Sequence, residues 1–417
     1  MRKAAWAFLI SFAFAIPWEY SLDLGAPFGN IARVLGLGLL LIAIPTVLLT
    51  GRLHRPGKLE WMTAALYLWF CCTFFWTVTP QSTLVKLRGY PQEMMLIWLV
   101  PEFVERPDDV RKLLRAWLAG SWVLALLTVG SFVWADMATA DQVRFVAAGQ
   151  DPNDTARFLN FGFPIAALLL ERRENWLGRL LAVGYLPLGL AAVLLTASRS
   201  GFLVAIMALG GGAVLVAKRD PQKALVGVFA ISALFAIVWT VAPPGTLERL
   251  GTISEQLQSG DLNQRADIWR AGWQAFLGAP IIGHGAGSFV SAAGLAPIDT
   301  AHNTMLAVVV EGGLCALVPA LAILIISIVW ISGLPGAIRI GLGILMAVWL
   351  VSSLVGTVGE NRTTWLLLGL VAACQRLTGI SSEAIRAAFQ LDRRRQHIQR
   401  GSIEGLVPVQ NATEIEG

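Results

Sequence analysis

The chain has 417 residues, of which 56% are apolar and 14% charged, with a formal net charge of +5 and a mean hydropathy of +0.64. Soluble domains carry roughly 25% charged residues, so this composition argues against a soluble enzyme, and no nucleic-acid partner is expected. Repeated apolar runs near the roughly 20 residues that cross a bilayer as helix, rather than alternating strands of about ten, argue against a β-barrel and for an all-α integral membrane protein.

In chain order the apolar runs predict spans at 4–20, 31–50, 61–79, 91–104, 113–134, 157–170, 177–197, 200–217, 224–242, 302–331, 336–357 and 361–378, about twelve transmembrane helices. The layout reads as helices 1–9 within residues 1–242, a large outer loop at 243–301, helices 10–12 within 302–378 and a basic tail at 379–417. Met1-Arg2-Lys3 and the apolar run after it have the outline of a signal peptide, but Pro17-Trp18-Glu19-Tyr20 reads as an interfacial exit, so the segment is kept as the first span. Cys71, Cys72, Cys315 and Cys374 fall in apolar stretches without metal-ligand spacing and read as packing residues.

With the amino terminus inside, 22 of the 32 Lys and Arg residues fall on the cytoplasmic side, which places both termini in the cytoplasm. The other ten, Arg33, Lys86, Arg88, Arg144, Arg157, Arg199, Arg249, Arg265, Arg270 and Arg362, oppose that bias. An ionisable group at membrane depth costs about 3 kcal/mol unless paired or solvated. An anionic ligand would supply the pairing; carboxylates such as Glu93, Asp151, Asp154 and Glu360 are the structural alternative.

The loop 243–301 should carry two amphipathic helices. In the first, Leu247, Leu250, Ile253 and Leu257 recur at helical spacing. The second opens at Asn263 as N-cap and runs to Leu277 before Gly278-Ala279-Pro280, with Ile268, Trp269, Trp273, Phe276 and Leu277 as its apolar stripe. Arg265 lies on the face of that stripe and is the leading anion ligand, with a structural pairing to Asp261 or Asp267 as the alternative. Arg270 points elsewhere. Gly283, Gly285 and Gly287 let the backbone around His284 turn sharply or approach a ligand. Asp299 or Thr300 is expected to cap the next helix, placing His302 in its first turn, where the dipole disfavours imidazolium and leaves a neutral base. A capping histidine with no chemistry is the alternative.

Leu195-Thr196-Ala197-Ser198-Arg199-Ser200-Gly201, Arg265 with Ile268-Trp269 leading to Pro280-Ile281-Ile282-Gly283-His284-Gly285, and His302-Asn303 followed by Gly313 together resemble the O-antigen ligase and polymerase superfamily. Asp151-Pro152-Asn153 fits as well. The resemblance implies a GT-C type glycosyltransferase of the bacterial inner membrane with its site on the periplasmic side. It implies transfer of a glycan from undecaprenyl pyrophosphate to lipid A-core oligosaccharide in lipopolysaccharide biosynthesis, with no cofactor and no metal. The family's arginine and histidine carry over as catalytic Arg265 and His302. Arg199, Arg88 and Lys86 are expected to bind pyrophosphate, and His284, Asn303, Asn153 and Arg157 are accessory candidates. Ala316 stands where the ligase-like histidine motif has a second glycine after Gly313, which keeps O-antigen polymerase and protein-glycosylating ligase open. A lipid or glycan transporter is the rival from another class, disfavoured because the polar residues gather at one face rather than at the midplane.

Overall fold

In the computed structural model the described residues are 1–379 except Pro27, Arg52, 136–143, 172–175, Arg219, Ala242 and 253–264. The basic tail, the expected cap Asn263, Asp261, and Ile253 and Leu257 of the first amphipathic stripe lie outside them, as do Arg172 and Arg173. The chain folds as helices α1 (Arg2–Ala15), α2 (Ile31–Thr50), α3 (Lys58–Thr73), α4 (Pro80–Met94), α5 (Leu96–Phe103), α6 (Pro107–Val133), α7 (Pro152–Glu171), α8 (Trp176–Leu195), α9 (Arg199–Ala217), α10 (Pro221–Val241), α11 (Pro244–Gly251), α12 (Arg265–Gly278), α13 (Phe289–Ala292), α14 (Thr304–Ser332), α15 (Gly336–Leu354) and α16 (362–379). Among the described residues there is no strand.

The helices α2, α6, α8, α9, α14 and α15 are long and apolar enough to cross a membrane. Their outward faces carry what a soluble protein would bury: Leu41, Leu48 and Leu49 are each 75% exposed, and Val318 is 68% exposed. That inversion is the signature of a surface solvated by lipid, and the chain is a multi-pass all-α membrane protein. The fourth expected span, 91–104, is not one helix. The run divides at Met95 into the polar end of α4 and the eight-residue α5, about 12 Å long and too short to cross alone. Within Pro17–Tyr20, the expected interfacial exit, Glu19 is buried and ion-paired with Arg362, the first residue of α16.

At the centre stands α7, packed against α6, α8, α9 and α15. In the core Phe161 of α7 packs against Trp117 and Phe163 against Tyr185, and Phe158 is buried as well. The Tyr185 hydroxyl donates to the Leu159 carbonyl at 2.6 Å, as a buried tyrosine must. A second, smaller core of Ile268, Phe276, Phe289, Ala301, Ala307 and Val310 fastens α12 and α13 to the start of α14. Of the expected stripe on α12, Ile268 and Phe276 turn inward, Trp269 is half-buried, and Trp273 and Leu277 are exposed.

Candidate functional site

The site forms where α7, α9 and α14 all begin. Asn303 is the N-cap of α14, its Oδ1 accepting from Leu306 N at 2.9 Å. The expected caps are engaged elsewhere: the Asp299 carboxylate accepts from Ala296 N at 3.1 Å, and Thr300 Oγ1 lies 3.2 Å from His302 Nδ1. His302 therefore precedes the helix instead of sitting in its first turn, in a left-handed conformation with φ of 46°. The indole Nε1 of Trp269 donates to the Ala301 carbonyl at 3.1 Å. Arg265 and Trp269 are four residues apart on α12 and share a face, so this bond brings the guanidinium toward His302.

Facing them are the turns before α7 and α9. Asp151 accepts from the backbone N–H groups of Asn153 and Asp154 at 2.8 and 3.1 Å and starts α7. The Ser198 side chain caps α9, accepting from Gly201 N. Asn153 Oδ1 joins the two turns, accepting from Ser198 Oγ at 2.9 Å and from Arg144 Nη2 at 3.0 Å. Arg144 Nε donates to Thr196 O, and Arg199 Nε donates to Arg249 O at 2.9 Å. Arg157 pairs with Asp154, and its guanidinium lies against Gly356, where a Cβ would come within 2.8 Å of Cζ. Gly356 O in turn accepts from Thr304 Oγ1 at 2.8 Å, one residue past the α14 cap. Ala197 and His302 are the non-glycine residues with positive φ among the described residues, and both sit in these turns. Left-handed backbone in such residues costs about 1–3 kcal/mol and persists where surrounding contacts over-determine it, commonly at functional sites.

The electrostatics show that these groups sense one another. Burial, then the positive charges of Arg265 and Arg157, hold the His302 imidazolium below its ordinary pKa, opposed by Asp151 and Asp299. Burial and Arg157 lower Arg265, again against Asp151. Arg144 is pushed down to about 10 by burial and by Arg249, Arg199 and Arg265, with Asp151 opposing. Each depression records positive charge crowded into a partly desolvated space. Arg157 Nη1 and Arg249 Nε are buried donors without a hydrogen-bond partner among the described residues, a costly condition that an anion would relieve.

Other expected residues stand apart from this cluster. Lys86 Nζ is buried between Glu311 Oε2 at 2.5 Å and Glu360 Oε1 at 2.6 Å, above the Tyr90 ring. Arg88 is exposed on α4. Arg270 is exposed and pairs with Asp267 at 2.7 Å, so Asp267 is not the partner of Arg265. His284 is a strut: its Nε2 donates to the Ala275 carbonyl at 2.7 Å and its backbone N–H to Val310 O. The glycine-rich segment around it mends a break in α14. Gly313, with φ of 65° and ψ of −164°, interrupts the helix, and the freed backbone groups bond to the loop, Gly285 N to Glu311 O, Leu314 N to Pro280 O and Cys315 N to Ile281 O.

Arg144 and Arg249 complete the cluster although sequence reasoning counted them only among the outer cations. Placing them requires the turn-to-turn contacts through Asn153 and Arg199. Among the described residues no three His, Cys, Asp or Glu side chains gather in a metal-ligating group. Residues 184–321, about a third of the chain, match the family model described as O-antigen ligase. The matched stretch includes Arg199, Arg249, Arg265, His302 and the break at Gly313. No curated protein matches the chain.

Proposed function

We propose that the chain, whose residues 184–321 match the family model described as O-antigen ligase, works as a member of that family: an inner-membrane glycosyltransferase acting at the periplasmic face and moving a glycan from undecaprenyl pyrophosphate to lipid A-core oligosaccharide. The observation that carries this reading is the meeting of one imidazole, His302, with Arg265, Arg157, Arg144, Arg199 and Arg249, five guanidinium groups against the three carboxylates Asp151, Asp154 and Asp299 among the described residues. Such an excess of fixed positive charge suits a lipid pyrophosphate. Arginine stays charged at any relevant pH and binds phosphate oxygens bidentately.

Outside the inner membrane the activated bond must arrive with the donor. In the proposed step the acceptor hydroxyl attacks the anomeric carbon, His302 Nε2 takes its proton, and the bond from that carbon to the pyrophosphate oxygen breaks with its electron pair leaving on the pyrophosphate. A single displacement inverts the anomeric centre. In the proposed reaction Nδ1–H donates to Thr300 Oγ1, the tautomer in which Nε2 is free to take the proton. The arginines are aimed at the charge that grows on the leaving group, where preorganised donors are most effective. Positioned general bases contribute about 10²–10⁴ in rate.

The test is purified protein with labelled undecaprenyl-pyrophosphate glycan and lipid A-core, products resolved by size. One addition per acceptor is expected, and His302→Ala and Arg265→Ala should each lower transfer at least about 100-fold. Undiminished transfer by both variants would reject these roles. A ladder of repeats on the carrier would identify a polymerase instead.

A further inference from the structure

At the end of the bundle opposite Arg199 lies a crevice of about 1010 Å³ between α7, α8, α9 and α10. Its walls are apolar, among them Phe163, Leu170, Val183, Pro187, Val216 and Ile231. Gly227 leaves room in the wall, since a Cβ added there meets nothing within 4 Å, while Gly184 and Gly212 let the walls pack closely against Trp122 and Ala167. The volume stands at the top of the roughly 300–1,000 Å³ range of small-molecule sites. One end is polar. Arg179, Asp220 and Lys223 form the rim there; Lys223 pairs with Asp220, whereas Arg179 is exposed and has no carboxylate partner among the described residues. Among the described rim residues two cations, Arg179 and Lys223, stand against the one carboxylate of Asp220. The crevice is thus apolar in its depth and electropositive at its mouth.

We propose that this crevice holds one anionic glycerophospholipid of the leaflet at that end, with acyl chain in the crevice and phosphate at Arg179 and Lys223. Charge complementarity selects an anionic head group, since juxtamembrane Lys and Arg attract acidic lipids. Geometry selects a lipid of that leaflet over the pyrophosphate donor. The 19 residues of α9 that separate Arg199 from this rim span about 28 Å, so one phosphate group cannot occupy both ends. The side chains flanking the crevice, Leu180, Leu225, Val226 and Phe229, are exposed toward the bilayer, giving the lipid lateral access.

The experiment is native mass spectrometry of the full chain, delipidated in mild detergent and titrated with phosphatidylglycerol or with phosphatidylcholine of the same acyl chains. One phosphatidylglycerol should bind at least tenfold more tightly than phosphatidylcholine. The double variant Arg179→Ala with Lys223→Ala should bind the two lipids equally. Gly227→Phe, at a position where an added Cβ meets nothing within 4 Å, should abolish retention of both. Equal binding of the two lipids by the unaltered protein, or the same preference in the double variant, overturns the proposal. So does displacement of phosphatidylglycerol by undecaprenyl phosphate, which would make the crevice a carrier site. The double variant changes only rim residues and decides the matter even if Gly227→Phe does not fold.

Discussion

Trp269 and Ala301 are joined by a hydrogen bond of 3.1 Å from the indole Nε1 to the carbonyl. It links the helix that carries Arg265 to the residue before His302. The apolar contacts around it press the same surfaces together but leave them free to slide, whereas a directional bond sets a register. Trp269→Phe keeps most of the ring and removes the donor, leaving the Ala301 carbonyl unmatched. A lost bond of this kind costs about 1 kcal/mol, so kcat for glycan transfer should fall about fivefold with little change in KM for the acceptor. Steady-state kinetics of the purified variant will check this, and an unchanged kcat would remove the bond from the mechanism.

The charges around His302 set the pH dependence of transfer. A base must be unprotonated, and burial with Arg265 and Arg157 holds the imidazolium below its usual 6.5. The acid limb of kcat/KM should therefore turn below pH 6.5, with activity flat near neutrality. Arg157→Gln removes one positive neighbour, so protonation becomes easier and the limb should move to higher pH. A pH profile of Arg157→Gln that coincides with that of the unaltered protein would show that the limb belongs to another group.

Much of this site was readable from the sequence because its turns announce themselves. Arg199 falls between the apolar runs 177–197 and 200–217, and the polar loop between later apolar runs leads to Arg265 and His302. The expected cap of α14 differs from the observed one because Asp299, Thr300 and Asn303 all carry cap-forming side chains within five residues, and Asp299 bonds backward to Ala296 rather than forward into the helix. Local chemistry does not reveal which of several cap-forming side chains will turn that way. Lys86 could not be separated from the ligand arginines for a different reason. Its partner Glu311 is 225 residues away, and outer cations that neutralise carboxylates look the same in sequence as those left for an anion. The twofold role of the glycine-rich loop, holding His284 and patching α14, was hidden too, since Gly313 inside a long apolar run gives no sign of a break.

Asn153 should act through position rather than through contact with the reacting atoms. Its Oδ1 accepts from both Arg144 and Ser198, fixing the α7 and α9 turns to each other. Asn153→Leu leaves both donors unmatched and should raise the donor KM about tenfold, the equivalent of roughly 1.4 kcal/mol. Asn153→Asp preserves the acceptor but adds a negative charge beside the arginines. It should fold as well as the unaltered protein while still binding the donor more weakly. Equal donor KM values for all three proteins would count against a link between these turns and the pyrophosphate.

Gly313 tests the splice in α14. Its φ of 65° disfavours any side chain, and a Cβ there would come within 2.2 Å of the Ile281 carbonyl. Gly313→Ala should destabilise the protein by about 3 kcal/mol, from strained backbone and the displaced loop together. Thermal unfolding in detergent followed by tryptophan fluorescence will report it, with Gly343→Ala as control. At Gly343 the nearest obstacle is 4.0 Å away, and alanine favours the helix. A normal melting temperature for Gly313→Ala would mean that the break closes without cost.

Lys86 distinguishes a structural cation from a ligand. Its side chain is 8% exposed and that of Glu311 5%, and the two meet at 2.5 Å. Removing one partner of a buried pair leaves the other charge uncompensated and costs about 3–5 kcal/mol, whereas replacing both with apolar groups is often near neutral. Lys86→Met should lower the melting temperature sharply, and adding Glu311→Met should restore most of it. Glu360, whose side chain is 46% exposed, can remain charged in water and adds little to the penalty. The double variant should keep donor KM within about twofold of the unaltered protein, since Arg265, Arg157 and their neighbours hold the pyrophosphate in the proposed reaction. A large rise in donor KM in the stable double variant would instead return Lys86 to the set of phosphate ligands, with its carboxylate partners as the groups that release it when the donor arrives.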